Sequence, residues 1–151
     1  MNDRGNMGPG SGRHVTASAE RTARRCAAYA ADRKAIDVVE LDLRDVSGYT
    51  DFFVIATGNT DRQVKAIHDA IHLGMKNAHG LLPRRVEGLG EARWVLMDYL
   101  DVVVHIFTPE TRAFYRLEQL WGEVPKHAYE PGQPELEPAA AAGGAARRAA
   151  P

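Results

Sequence analysis

The chain has 151 residues and a formal net charge of −1 at pH 7, with 19 Lys and Arg residues against 20 Asp and Glu residues. Proteins that hold nucleic acid mainly through its phosphates usually carry a basic stripe, so this balance argues against direct nucleic-acid binding as the dominant function. The single cysteine, Cys26, excludes an internal disulfide and a zinc site built from cysteines.

No apolar run approaches the ~20 residues that span a bilayer, and the N-terminus lacks the pattern of a secretion signal. We therefore expect a cytoplasmic protein with no membrane segment. Residues 1–15 and 128–151 are biased in composition and lack apolar periodicity, which predicts a disordered leader and a disordered Ala/Pro-rich tail. Residues 16–127 between them are predicted to form a single folded domain.

The first half of this domain predicts a helix, two strands and a second helix. The Ala- and Arg-rich residues 16–32 are typical of a helix. Residues Ile36–Leu43 alternate like a strand, and Phe52–Thr57 form a nearly continuous apolar run, typical of a central strand covered on both faces. Thr60 and Gln63 fit a capping box, in which Thr60 accepts from the amide of Gln63 and Gln63 reaches back. The second helix is predicted to begin there.

The second half predicts three strands and a helix. Pro83–Glu87 is typical of a short edge strand, while Trp94–Met97 and Val102–Phe107 predict a β-hairpin. A last helix begins at Thr108-Pro109. Its predicted apolar face consists of Phe114, Leu117 and Trp121. The order helix-strand-strand-helix-strand-strand-strand-helix predicts an α/β fold with a mixed sheet of about five strands flanked by helices.

Two features suggest an enzyme related to nucleotidyltransferases. Glu40 and Asp42 alternate on the first strand as a pair of magnesium ligands would. The Gly58–Thr60 corner at a helix start could bind a phosphate on free backbone amides. However, no third carboxylate or Gly-rich phosphate loop stands at a matching spacing, and alternating acids are ordinary on a half-exposed strand. The structural interpretation is favoured, and the enzyme is kept as the alternative.

The histidines and nucleophiles do not assemble into a recognisable site. His68 and His72 have a spacing that can chelate zinc, but a third ligand is lacking, so we predict no metal and no cofactor. His105 lies inside an apolar strand and is predicted to be a hydrogen-bonded histidine of the core or of an interface. Cys26 and Ser47 have no recognisable partner base. The sequence therefore predicts no catalytic site.

The first strand of the hairpin is apolar on both of its faces. Period two places Trp94, Leu96 and Asp98 on one face, and Val95 and Met97 on the other. Either helices cover both faces of this sheet, or one face binds another molecule. Trp and Tyr are residues that anchor interfaces, but spacing alone leaves open whether Trp94 packs beneath the last helix.

Residues 31–124 resemble the ribosomal silencing factors, also called Iojap-like or RsfS proteins. The resemblance is carried by an ordered set of motifs: Thr50–Phe53, Ala56–Thr60, Arg62–Val64, Glu87–Gly88, Trp94–Asp98, Asp101–Phe107 and Arg112–Trp121. It implies a five-stranded mixed sheet with flanking helices, distantly like nucleotidyltransferases but without their catalytic acids.

The resemblance also implies a function, and it implies that the protein is not an enzyme. Family members bind the large ribosomal subunit through its ribosomal protein fourteen, block joining of the small subunit and slow translation when nutrients are short. Free members often form homodimers. The residues of this chain expected to contact the ribosomal protein are Glu87, Trp94, Leu96, Asp98, Tyr99 and Leu100.

One position departs from the family pattern. Family members commonly carry glycine at the place of Leu100, where it suits a tight turn with positive φ. Because leucine tolerates positive φ poorly, we predict a different turn here, with Leu100 displayed at the tip as added contact area.

Overall fold

The computed structural model describes residues 18–132. The predicted leader, residues 1–15, lies outside the described residues, as do residues 133–151 of the predicted tail. The elements in chain order are α1 (18–32), β1 (Ile36–Asp42), β2 (Phe52–Thr57), α2 (Asp61–His79), β3 (Arg85–Glu87), β4 (Trp94–Asp98), β5 (Val102–Phe107), α3 (Pro109–Tyr115), α4 (Leu117–Leu120) and β6 (Lys126–Ala128). Within the described residues, no helix is long and apolar enough to cross a membrane.

The strands form one mixed sheet in the order β3-β4-β5-β2-β1-β6. The central strands β2 and β5 are parallel, and every other neighbouring pair is antiparallel. All residues of β2 and β5 are buried, as expected for apolar runs covered on both faces. The predicted α/β fold with a mixed sheet flanked by helices is confirmed.

The sheet has one strand more than predicted. Strand β6 pairs with β1, and its residues Lys126–Ala128 are all exposed, so no alternation of apolar residues in the sequence predicts it. Backbone hydrogen bonds hold the strand in place, from the Tyr129 N–H to the Val38 oxygen at 2.8 Å and from the Asp42 N–H to the Pro125 oxygen at 2.9 Å.

The sheet carries apolar side chains on both faces. The first face, which includes Val54 and Val95, packs against apolar residues of α1 and α2. Small α1 residues such as Ala23 and Ala27 are fully buried there and allow the helix to approach the sheet closely. The second face carries Phe53 and a smaller cluster, covered by residues from α4 and the segment that follows it.

The capping box at the start of α2 is confirmed. The Gln63 N–H donates to the Thr60 hydroxyl at 3.1 Å, and the Gln63 side-chain oxygen accepts from the Asn59 N–H at 2.9 Å. The Gln63 side-chain nitrogen also donates to the backbone oxygens of Arg33 and Lys34. This side chain therefore ties the start of α2 to the turn between α1 and β1.

The single last helix predicted from Thr108 is wrong. Helix α3 ends at Tyr115, Arg116 adopts a left-handed φ of 48°, and the chain continues as the short helix α4. Because of this break, Leu117 is buried on the second face while Phe114 is 77% exposed. The i, i+3 spacing of Phe114 and Leu117 puts them on one face only if the helix is uninterrupted.

Candidate partner-binding surface

Trp94 is half-buried on the second face of the sheet. Its ring centroid lies 5.0 Å from that of Phe107 beneath it and 4.8 Å from that of Tyr115 on α3. The indole therefore packs partly beneath α3 and partly faces solvent. Packing of Trp94 beneath α3, which the sequence left open, is therefore only partial.

A hydrogen bond fixes the polar edge of this indole. The Trp94 Nε1–H donates to Nδ1 of His105 on β5 at 3.0 Å. His105 is 4% exposed, and burial lowers the pKa of its imidazole from 6.5 to about 3 because the charged form is poorly solvated. The prediction of a hydrogen-bonded histidine in the core or an interface is confirmed.

This imidazole makes the stability of the fold depend on pH. Its pKa is 6.5 as a free side chain and about 3 when folded, so between these values the unfolded chain binds a proton that the folded chain does not. The free energy of unfolding should therefore decrease as pH falls through this window, by up to about 1.4 kcal/mol per unit. Urea unfolding from pH 7 to pH 4 should give a flatter profile for His105→Leu than for the wild type. Parallel profiles would contradict the assignment.

Three further side chains extend the exposed apolar area around Trp94. Leu96 is half-buried, Tyr115 is 49% exposed and Phe114 is 77% exposed. The Phe114 and Tyr115 rings are in edge contact at 4.9 Å, so the aromatic row runs from α3 onto the sheet. We call these four residues, Trp94, Leu96, Phe114 and Tyr115, the Trp94 surface. The sequence missed Phe114 and Tyr115 because it placed Phe114 on a buried helix face.

A cleft of about 550 Å³ borders the Trp94 surface, with Trp94 and Tyr115 in its wall and the loop between β3 and β4 opposite. Gly88 begins this loop with a φ of 90°. A Cβ atom at Gly88 would lie 2.0 Å from the Trp94 carbonyl oxygen, so the close approach of the loop to β4 requires glycine. Glu87, just before it, is exposed on edge strand β3 and pairs with Arg85 at 3.3 Å.

Asp98, at the end of β4, is used within the chain. It is 5% exposed, and its Oδ1 accepts from the Leu100 N–H at 2.8 Å. Its Oδ2 accepts from Arg84 Nε at 3.2 Å and lies 3.8 Å from Arg85 Nε. The carboxylate therefore holds the β4–β5 turn and is largely neutralised by two arginines.

The expectation that Tyr99 stands at a contact tip is corrected. Tyr99 is 7% exposed and its side chain belongs to the core cluster on the first face. The alternation of β4 continues one residue past the strand, so the Tyr99 side chain lies on the same face as that of Met97. Burial raises the pKa of its phenol. The Tyr99 side chain is therefore not exposed at the tip.

Leu100 is 50% exposed at the tip, as expected, but the turn prediction was wrong. Leu100 keeps a positive φ of 79°, the conformation that glycine favours. The Asp101 N–H donates to the Tyr99 oxygen at 3.0 Å across it, and the Tyr99 N–H donates to the Val102 oxygen at 2.8 Å. Together with the Asp98 side chain, these bonds keep the turn tight despite the leucine.

Replacing Leu100 by glycine should relieve this strain. We expect Leu100→Gly to raise the free energy of unfolding by up to about 1 kcal/mol. A left-handed L-residue costs about 1–2 kcal/mol, but glycine also gives the unfolded chain more conformational entropy, which offsets part of the gain. Urea unfolding measures the change. The matched control is Leu82→Gly, because Leu82 is 56% exposed and has no positive φ, so glycine should not stabilise the chain there. Equal changes in the free energy of unfolding at both positions would contradict the inferred backbone strain at Leu100.

A second exposed apolar group lies at the same end of the sheet as Leu100. Val46 and Tyr49, in the loop between β1 and β2, are 58% and 63% exposed. The Asp51 N–H donates to the Asp101 oxygen at 2.9 Å, which joins this loop to the β4–β5 turn. Burial and the nearby Asp98 carboxylate raise the pKa of Tyr49. The sequence offered no signal for Tyr49, because only the fold brings the two loops together.

The structure places the two acids of the alternative enzyme in the wall of one pocket, but it separates them from the Gly58–Thr60 corner. Glu40 is 4% exposed and lies 3.6 Å from Arg24, and Asp42 accepts from Arg44 Nε at 2.8 Å. Asp42 pairs with Phe52 at the start of β2, whereas Gly58 follows the end of that strand. The six residues of β2 therefore separate Asp42 from Gly58 by about 20 Å, at 3.3 Å per residue.

The paired histidines of α2 are also engaged locally. His68 lies with its Nδ1 at 2.9 Å from the Asp69 carboxylate, and its ring centroid is 5.6 Å from that of His72. Across residues 18–132, no group of three or more His, Cys, Asp or Glu side chains is arranged to hold a metal ion.

These features define an α/β domain whose candidate site is an exposed aromatic and apolar surface. Residues 16–150 match the family model described as RsfS, ribosomal silencing factor during starvation. The chain therefore belongs to the ribosomal silencing factor family.

Named relatives agree with this assignment. The chain is 43% identical over 99 residues to the ribosomal silencing factor RsfS of Bacillus subtilis, covering 66% of this chain and 83% of the relative. It is 45% identical over 95 residues to the RsfS of Halalkalibacterium halodurans, covering 62% and 80% of the two chains. A crystal structure from Chromobacterium violaceum aligns with a TM-score of 0.66 at 32% identity, covering 76% of this chain and 95% of that one.

Proposed function

We propose that this protein represses translation by binding the large ribosomal subunit through that subunit's ribosomal protein fourteen and preventing the small subunit from joining. The repression would operate when nutrients are limiting, in the cytoplasm. Blocking of this kind needs binding energy and bulk and no bond-breaking chemistry. The proposal rests on membership of the ribosomal silencing factor family and on the partly open Trp94 surface.

The Trp94 surface has the composition of a protein-binding site. Aromatic residues near the centre of an interface commonly supply most of its binding energy. Trp94 is held rigidly by its ring neighbours and keeps part of its face open, so little conformational entropy would be lost on binding. Leu96 and the exposed Leu100 extend the apolar area along β4 to the turn.

The acids at the loop end of the sheet, near Leu100, suit a basic partner. Ribosomal proteins must neutralise RNA phosphates and are commonly basic. Asp51 and Asp101 lie side by side at the loop end of the sheet, and burial together with the Asp51 charge raises the pKa of Asp101. Glu87, which pairs with Arg85, is a further exposed acid on the opposite side of β4. We expect these acids to affect orientation and association rate more than affinity.

Sedimentation through a sucrose gradient tests the proposal. Purified protein should travel with large subunits and not with small subunits, and pre-bound protein should reduce the yield of joined ribosomes. Metal-dependent nucleotide turnover that Asp42→Ala abolishes, without sedimentation on large subunits, would instead favour the enzyme alternative.

We also propose that the free protein forms a homodimer through the same surface. If that surface served only self-association, Trp94→Ala would produce monomers and leave translation unchanged. If the dimer competes with the ribosome for the surface, added large subunits should dissociate the dimer. Analytical ultracentrifugation with and without large subunits separates the two cases.

A further inference from the structure

His105 lies directly behind Trp94 and cannot itself touch a partner. It is 4% exposed on the central strand β5, and its ring is packed at 4.5 Å from Phe53 and 6.2 Å from Phe107 between ring centroids. Its one polar contact within the described residues is the 3.0 Å hydrogen bond that Nδ1 accepts from the Trp94 indole.

This bond determines where the imidazole carries its proton. Nδ1 accepts a hydrogen bond, so in the uncharged ring the proton resides on Nε2. Nε2 is buried and has no hydrogen-bond partner in the described part of the chain. A buried donor without a partner lowers stability, and an apolar side chain at this position would avoid that cost. The imidazole therefore has one polar interaction to offer, and it is directed at Trp94.

Packing alone does not fix the indole in the same way. Phe107 and Tyr115 contact the Trp94 ring from its apolar sides, whereas only a hydrogen bond distinguishes the N–H edge from the rest of the ring. An anchor side chain held in its bound orientation before contact loses less entropy on binding.

We propose that His105 is a positioning residue that orients the Trp94 indole for partner binding. The effect on binding rests on the proposed function, whereas the effect on the indole itself can be measured on the free protein.

Two substitutions of similar shape separate positioning from packing. In His105→Asn, the amide oxygen occupies the place of Nδ1 and can still accept from Trp94. His105→Leu has the same branching and no acceptor. We expect His105→Leu to weaken binding to large subunits by up to about tenfold, the largest loss of correctly oriented indole that one hydrogen bond could prevent, and His105→Asn to remain within about threefold of wild type. Equal losses in the two variants would overturn the proposal.

Trp94→Phe provides an independent arm, because it keeps a ring and removes the N–H. In a Trp94→Phe background, His105→Leu should have no further effect on binding beyond about twofold, since the bond is already absent. If His105→Leu costs the same factor with and without the Trp94 N–H, the role of His105 is packing alone and the proposal fails.

NMR of the free wild-type protein tests the geometry without altering either residue. Trp121→Phe assigns the two indole N–H signals, and the Trp94 signal should exchange slowly with solvent. The ¹⁵N shifts of His105 should show an unprotonated Nδ1 and a protonated Nε2 at pH 7. The opposite tautomer or a rapidly exchanging Trp94 N–H would overturn the inference. If the tautomer is as expected but wild-type protein does not sediment with large subunits, it is the proposed function that fails, and the orientation of Trp94 by His105 stands.

Discussion

Trp94→Ala is expected to weaken the affinity for large ribosomal subunits, measured by sedimentation, by about 30-fold or more. Truncation of a central aromatic anchor typically costs about 2 kcal/mol of binding free energy, which corresponds to this factor. The indole also contacts Phe107 and Tyr115, so the alanine variant will lose some stability, and its folded fraction must be measured by circular dichroism at the assay temperature.

Leu73→Ala is the matched control for this experiment. Leu73 is 54% exposed on α2, which covers the other face of the sheet. Its removal deletes an exposed apolar side chain remote from the Trp94 surface, so binding should be unchanged. Undiminished binding by folded Trp94→Ala would show that the partner contacts a different surface.

Arg112→Met is expected to lower the free energy of unfolding by about 2 kcal/mol, because its ion pair is partly buried and lies between the exposed and the fully buried cases. The guanidinium is 13% exposed and pairs with Glu118 through Nη2 at 2.7 Å. Its Nη1 also donates to the Asp37 backbone oxygen and the Thr57 hydroxyl, each at 2.8 Å. This one side chain therefore joins α3, α4 and the first two strands.

Arg44→Met provides the comparison, because Arg44 also forms a two-pronged pair, with Asp42, but lies at the surface. An exposed pair of this kind contributes less than about 1 kcal/mol. Urea unfolding should therefore separate the two methionine variants clearly. Similar small losses would show that α3 and α4 are held to the sheet by apolar packing alone.

Several parts of the fold follow from local sequence signals. The capping box of Thr60 and Gln63 and the apolar run of β2 were predicted correctly because their causes lie within a few residues. The alternation of β4 likewise placed Trp94 and Leu96 on one face and Val95 on the other.

Other parts depend on contacts distant in sequence. Strand β6 is formed by backbone pairing with β1 and not by any apolar pattern. The break at Arg116 and the positive φ of Leu100 are local strains that the surrounding packing and hydrogen bonds maintain, against the preference of each residue. Tyr49 is brought to the end of the sheet near Leu100 by the bonds that the Asp101 oxygen accepts from the N–H groups of Asp51 and Phe52.

The parallel pairing of β2 with β5 sets an order of assembly. Strands β1 and β2 are close in sequence, as are β3, β4 and β5, so each group can pair early, whereas β2 and β5 are separated by α2 and two strands. Closing so long a connection slows folding. His105 lies between Ile55 of β2 and Leu96 of β4 in the finished sheet. During synthesis, β5 and α3 follow β4 along the chain, so His105 and Tyr115 reach Trp94 only when most of the domain has been made.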